Sequence, residues 1–538
     1  MNSEFPSHEI SANKIPTEER DGIWTVLYKR LGFDRLEYPL PVHAQSLPYM
    51  LGGLTFATFM VLFVSGIYLT QFYNPNQLSS YQSLLYLISQ APFGNFMRSV
   101  HYWSVNAVFV LLIAHVTRVF ITGSYKRPRE FTWLMGLGLL VLAVLFTFAG
   151  TILALGQEGI EAMEHFSEVG LILGPLGLWF TTGFSAVVPL VGRIYVTHII
   201  ILPFLFFFFV IAHFYLMHVH NMSPKAEKDA VVGIADNEPT QPFTAHLKML
   251  AGWSFILIAI IAILALLFPE LLGKAGAAGV PIQEVKPRWM FLWLYGMEDV
   301  FSIKALVWGP LVLLFSLAII PFIDRSPWLS PRKRPWMMVY GAVLTLILIA
   351  FSLQAVFAPT NMKAMRQKQE VRQESAMLPF FENFLPGKIA YAHDLVFLSF
   401  TPTTVRPGGV VNLIGDGIHQ SGTYALSLKG PQRDISLGTA IVPKGNDSFN
   451  ANLVIPPDIP GALYTIEVKN INGGEAFYAP LQLAVEPIAM PLPSQYPTDS
   501  QYPIPSSEVP WIVGFIVISL GVGVYLLSGK TSERASPK

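Results

Sequence analysis

Four of the twelve histidines in the chain fall in apolar stretches at a repeated interval. His101 and His115 are 14 residues apart, and His198 and His213 are 15 apart. At 1.5 Å per residue, each interval spans about 21 Å of helix. Fourteen residues return a helix to within roughly 40° of the same face, and fifteen overshoot it by about 60°. Pro203 lies inside the longer interval, where a bend would absorb the extra residue. Two facing helices then each present an outer and an inner imidazole at matching depths. That is the ligand geometry for two bis-histidine haems stacked across a membrane.

Glycines repeat the interval on the flanking segments. Gly52 and Gly66 are 14 apart, and so are Gly136 and Gly150. A helix without side chains at these points lets a porphyrin edge press on its backbone. A lone intramembrane histidine is often a packing residue, and glycine is common in spanning helices. Matched spacings on four successive helices favour the cofactor.

The elements that must position these residues are membrane helices. The chain has 538 residues, 52% of them hydrophobic and only 13% charged, whereas soluble proteins average about 25% charged. Apolar blocks of spanning length occur at roughly 50–73, 100–122, 133–155, 194–217, 248–268, 303–323, 337–357 and 510–528. A Gly- and Pro-punctuated loop, 156–193, separates the third block from the fourth and is expected to carry short helices lying along the membrane. Ile23, Leu27 and Leu31 share one face of an expected surface helix in the polar N-terminal segment, which has no signal-peptide core.

Residues 385–490 change character. VVNLIG, TYALSLKG, FNANLVI and LYTIEVKN alternate apolar and polar residues between Gly, Pro, Asn and Asp, as in a small β-sandwich. The expected fold is an all-α membrane protein: a four-helix haem-binding bundle (49–222) and three further transmembrane helices (223–360). A small extracytoplasmic, immunoglobulin-like β-sandwich (385–490) and a C-terminal transmembrane helix (510–528) complete it, after an N-terminal segment (1–48).

Basic clusters in GSYKRPRE, SPKAEKDA, SPRKRP and the tail SGKTSERASPK place those loops and both termini in the cytoplasm. The chain is then a multi-pass protein of the inner (cytoplasmic) membrane. The segment MKAMRQKQEVRQ breaks this pattern locally, ahead of a long translocated domain. The net charge of zero gives no reason to expect nucleic-acid binding. The absence of cysteine excludes disulfides, thiolate-bound iron–sulfur clusters and thioether-attached haem within this chain.

The segments LGGLTFATFMVLFVSGIYLT, FGNFMRSVHYWSVNAVFVLLIAHVTRVFITGSYKRPREFTWLMG and RIYVTHIIILPFLFFFFVIAHFYLMH resemble cytochrome b of quinol-oxidising bc and bf complexes, nearer the bf branch. KPRWMFLWLY and IPFIDRSPWLSPRKRP resemble the three-helix subunit that is fused behind it. The resemblance covers about residues 20–358. It implies that His101 and His198 ligate the iron of an outer haem, and His115 and His213 that of an inner one. Both would be non-covalent b-type haems. It also implies propionate contacts for Arg98, Arg118 and Arg193, with interfacial snorkelling as the ordinary alternative. For His218 it implies a quinone contact at the inner site, against a solvated helix end.

Three positions depart from the family. Met50 stands where bf proteins attach an extra haem through cysteine. The third helix ends in ILALGQ instead of a Pro-Trp segment. Arg288 occupies the place of a loop glutamate, with Glu284 four residues earlier. The expected function is a di-haem subunit moving electrons between quinone and separate partners: a Rieske or other iron–sulfur protein, a c-type cytochrome, or both. A second copy of the chain is a further candidate partner. Arg288 favours a rival reading, a haem-bearing anchor of another oxidoreductase without a conventional outer quinol site. A non-redox scaffold or transporter is the reading of another class.

Overall fold

The computed structural model describes residues 30, 38–76, 79–185, 188–226, 230–232, 239–272, 286–358, 397–402, 404–416, 422–430, 434–442, 449–471, 476–485 and 503–528. The expected N-terminal surface helix, Glu284 and the segment 362–373 lie outside these residues.

Among the described residues, eight helices are long and apolar enough to cross a membrane. They are α1 (Leu47–Thr70), α3 (Gly94–Ile121), α4 (Glu130–Leu153), the continuous run Leu190–His220, α8 (Phe243–Leu267), a run over Ala305–Ile323 made of α10 (Ala305–Ala318) and α11 (Ile320–Ile323), α12 (Pro335–Phe357) and α13 (Val509–Ser528). Each lies within a few residues of an apolar block in the sequence. Inside such helices Thr55, Thr58 and Ser254 donate their hydroxyls to carbonyls four residues back, which satisfies them without water. Shorter helices lie between the spans: α2 (Ser80–Ser89), α5 (Gln157–Ile172) and α9 (Leu292–Phe301). The loop expected to carry short helices contains α5 and three 3₁₀ turns.

The fourth span is not uniform. α6 (Leu190–Val196) passes into a π-helical turn, Thr197–Ile201, and resumes as α7 (Leu202–His220). The Leu202 N–H bonds the Thr197 carbonyl, five residues back. A π turn takes in one extra residue, so it is this turn, with Pro203 just behind it, that accommodates the 15-residue interval. The extra residue, expected to be absorbed by a bend at Pro203, is taken up by a change of helical winding at His198, just ahead of that proline.

The fifth span does not stay with the sixth and seventh. Ala259, Ala262 and Ala265 of α8 are buried with Phe96 and Val100 of α3 and Ile512 and Ile516 of α13. A short antiparallel pair, β1 (Pro39–Pro41) with β2 (Thr240–Pro242), ties the entries to α1 and α8. The later spans are joined to the bundle by a buried polar cluster. Asp324 accepts from Tyr125 at 2.6 Å, Lys126 at 2.9 Å and Arg334 at 3.2 Å, all four residues being buried. These partners hold the Asp324 carboxyl below its ordinary range, against the opposing effect of burial.

The C-terminal β-region forms two sheets, β4-β10-β9-β6-β7 and β3-β5-β8, over one core. On β6 (Gly422–Lys429), Tyr424, Leu426 and Leu428 point inward at every second position. β5 (Val410–Asp416), β6, β8 (Phe449–Val454) and β9 (Ala462–Asn470) match the runs seen in the sequence. β3 (Phe397–Thr401), β4 (Thr404–Val405), β7 (Ile435–Val442) and β10 (Ala476–Val485) are additional strands. The sandwich touches the membrane part where Thr182 donates to the Ala479 carbonyl at 2.6 Å, a buried contact.

Candidate functional site

His101 and His115 stand on the same stripe of α3 as Ser104, Val108 and Leu112, all buried. On the fourth span, Leu202, Phe206 and Val210 are buried between His198 and His213. Both histidine stripes therefore face the interior. The four histidines themselves are half-buried, less enclosed than these neighbours. His101 lies within electrostatic range of His198, and His115 within range of His213, which groups the four into two levels.

Each glycine backs one of these rings. A Cβ on Gly52 would stand 3.0 Å from His115 Cε1, and one on Gly66 would stand 3.5 Å from His101 Cε1. The corresponding distances are 3.3 Å for Gly136 to His213 and 3.2 Å for Gly150 to His198. The missing side chains thus make room for the imidazoles.

Two rings have their tautomer set by neighbours. Ser65 Oγ donates to the Val61 carbonyl at 2.7 Å, so it accepts from His101 Nδ1 at 3.0 Å. His213 Nδ1 is 3.0 Å from the Thr132 carbonyl, which can only accept. In both rings Nδ1 carries the proton, and Nε2 is left as a lone-pair donor.

Between the two levels lies an aromatic layer. Phe59 and Phe206 are buried with ring centroids 4.4 Å apart; Phe63 is 5.5 Å from Phe206 and 5.1 Å from Phe207. Phe206 comes eight residues after His198 and seven before His213. This layer sets apolar rings between the two histidine levels.

The cations expected at the site have different partners. Arg118 stacks on Tyr49, its guanidinium carbon 3.6 Å from the ring centre, and its buried Nε and Nη2 have no hydrogen-bond partner. Such a group, three residues from His115, suits an anionic ligand. Arg98 instead donates to the carbonyls of Glu270 at 2.6 Å and Leu271 at 3.3 Å. Arg193 is buried and donates to the carbonyls of Trp179 and Thr181 in the loop before α6, with its Nε left without a hydrogen-bond partner. His218 is exposed, its ring edge-on to Tyr38 at 4.8 Å. Met50 is fully buried beside the inner level.

Arg288 lies between two carboxylates, 3.4 Å from Glu158 and 3.5 Å from Glu270, and over the Tyr102 ring at 4.9 Å. Glu270 is raised by burial, against the attraction of Arg98 and Arg288. Nearby, His165 Nε2 is 3.3 Å from Glu298 Oε1, while its Nδ1 donates to the Glu161 carbonyl at 2.7 Å. Burial would lower this imidazole, but Glu298 overrides it and raises it to about 10. Neither pair was singled out by sequence, because each joins α5 to a segment more than a hundred residues away. Ser65 was equally unmarked, one serine beside a glycine.

Among the described residues, no cluster of three His, Cys, Asp or Glu could hold a bare metal ion. Histidines that come in facing pairs suit a cofactor bringing its own equatorial ligands. The half-buried imidazoles, the glycines behind them and the unpartnered Arg118 nitrogens all fit haem.

Residues 106–275 match the family model described as cytochrome b (N-terminal)/b6/petB, and residues 278–369 match cytochrome b (C-terminal)/b6/petD. Cytochrome b6 of Heliobacterium mobile is 32% identical over 194 residues, 35% of this chain and 91% of that protein. A cytochrome bc complex cytochrome b subunit from Chlorobaculum thiosulfatiphilum is 30% identical over 339 residues, 60% of this chain and 76% of that one. Among solved structures, a chain of a hyperthermophilic respiratory Complex III superposes with a TM-score of 0.53 at 22% identity, covering 63% of this chain and 90% of that one.

Proposed function

The chain belongs to the cytochrome b/b6 family, and on that premise we propose that it is the di-haem subunit of a bc-type complex, carrying electrons between quinone and partner redox proteins. The observation that carries this reading is the set of four imidazoles in two facing pairs, each ring backed by a glycine. His101 and His198 would ligate one iron, and His115 and His213 the other. When bound, the two haems supply reversible one-electron transfer.

The chain's own residues prepare the ligands. Ser65 and the Thr132 carbonyl fix Nδ1 as the protonated nitrogen of His101 and His213, so Nε2 would be the atom offered to an iron. Arg118 would meet a propionate at the inner level. The Phe59–Phe206 layer excludes water from the space between the levels. Arg98 and Arg193 are assigned to shaping the outer ends of their helices, because their guanidiniums are engaged by backbone carbonyls. His218, exposed beside Tyr38, remains available to a quinone at the inner surface.

With no cysteine in the chain, an iron–sulfur protein or c-type cytochrome must be a separate subunit. The basic loops favour an inner-membrane protein with cytoplasmic termini and an extracytoplasmic sandwich. Arg288 supports a second reading, a haem-bearing subunit without a conventional outer quinol site. An arginine held by two carboxylates cannot serve as a proton acceptor.

The test is a haem count. Purified protein should give a b-type pyridine haemochrome at about two per chain, wholly extractable by acid acetone. His115→Ala and His198→Ala should each remove a different haem. Loss of neither would sink the assignment.

A further inference from the structure

α3 begins at a residue in an unusual conformation. Phe93, its N-cap, has φ of 55°, the left-handed region that a bulky side chain disfavours. Its N–H donates to Glu508 Oε1 at 2.7 Å, across 415 residues of sequence. Glu508 immediately precedes α13. A carboxylate at this point satisfies an N–H that the helix leaves orphaned and complements the positive end of its dipole.

α13 is itself held in place. Ile512 and Ile516 are buried against Phe96 and Val100 of α3 and Ala259 and Ala262 of α8. The backbones of α13 and α8 cross at two glycines. A Cβ on Gly523 would stand 2.9 Å from the Gly252 carbonyl oxygen, too close for any side chain. The same end of α3 is tied to the segment just past α8, since the Glu270 N–H donates to Ser99 Oγ at 2.9 Å and Arg98 donates to the Glu270 carbonyl. The ties made by α3 itself fall between Phe93 and Val100. His101 is the next residue, and His115 lies about 21 Å further along the helix.

We propose that Glu508 is a positioning residue for His101: by accepting the Phe93 N–H, the C-terminal helix sets the placement of the first turns of α3 and thereby the orientation of the outer imidazole. The inference rests on the reading that His101 ligates the outer haem. It gives the C-terminal span a function in the redox core, beyond anchoring the sandwich.

The test uses full-length protein carrying both haems, read by low-spin EPR and by optical redox titration. His101→Ala identifies the outer signal as the one it removes. If that variant keeps two haems, the ligand reading fails and the proposal fails with it. In Glu508→Ala the outer signal should shift or broaden and titrate at an altered potential, with the inner signal unchanged. Glu508→Gln keeps an oxygen that accepts the same bond and should retain the wild-type outer signal. Gly523→Leu, which forces α13 away from α8, should reproduce the alanine effect. Should Glu508→Ala fail to assemble, Glu508→Asp, one methylene shorter, should give a smaller shift in the same signal. The proposal is overturned if His101→Ala loses a haem while Glu508→Ala leaves the outer signal unchanged. Equal shifts of both signals, or an equal effect of Gln and Ala, would also overturn it.

Discussion

His115 Cε1 lies 3.0 Å from the point where a Cβ on Gly52 would stand, whereas the matching distance from Gly66 to His101 is 3.5 Å. The first is tighter than ordinary contact and the second is ordinary contact. Gly52→Ala should therefore displace the His115 ring by a few tenths of an ångström and perturb or release the inner haem. Gly66→Ala should leave the outer haem in place. Haem content and the α-band spectrum of each variant check this. Equal behaviour of the two would contradict the ring-against-glycine packing.

The spans and the histidine levels were legible because both are written in local periodicity: twenty apolar residues, and intervals near fourteen. The π turn at Thr197–Ile201 was half legible. The fifteen-residue interval demanded an accommodation and the proline marked its place, but a change of winding carries no residue signal of its own. Partners of Arg98, Arg193 and Arg288 were not legible. Each guanidinium is engaged by groups brought up by the fold, and an arginine at a helix end reads the same whichever groups those are. Four of the eight strands among the described residues of the sandwich were visible in the sequence. The missed ones include β7, interrupted by Gly438, and β10, interrupted by Pro480, which blur the alternation.

The His165–Glu298 pair makes stability depend on pH. Its imidazole is raised from 6.5 to about 10 in the folded protein, with Glu298 outweighing the effect of burial. A raised imidazole stabilises the fold fully below about 6.5, and that stabilisation is lost as pH rises through about 10. Thermal unfolding in detergent should show a melting temperature that falls across this window. In Glu298→Gln the fall should be markedly smaller, with a lower melting temperature at neutral pH. An unchanged alkaline slope in that variant would assign the effect to other groups.

The β-sandwich should lie outside the cytoplasm. Three spans, α8, the Ala305–Ile323 run and α12, separate it from the basic loop at 223–230, and an odd number of crossings places the two on opposite sides. Its contact through Thr182 and Ala479 also seats it on the loop between the third and fourth spans, opposite the other basic loops. Protease added to intact spheroplasts should cut within 362–385 or 488–509 and spare the C-terminal tail. Cleavage of the tail with protection of those segments would reverse the topology.

Arg288 is the residue on which the outer site turns. In the resembling family a carboxylate there can take a proton from quinol, but a guanidinium stays protonated at accessible pH. The two carboxylates beside it, Glu158 and Glu270, hold Arg288 as a strut between α5 and the end of α8. Arg288→Gln should cost about 2 kcal/mol in stability, since it removes charge-assisted contacts from partly buried groups. Arg288→Glu should do worse. It would gather three carboxylates at one point, and the family's residue should lower the yield of folded protein without creating quinol oxidation. The direct measurement is single-turnover haem b reduction by quinol with the inner site blocked. A conventional outer pocket predicts rapid reduction that ordinary outer-site inhibitors abolish and that survives Glu284→Gln. Slow reduction, or reduction insensitive to those inhibitors, is the outcome expected of a site closed by the Glu158–Arg288–Glu270 bridge.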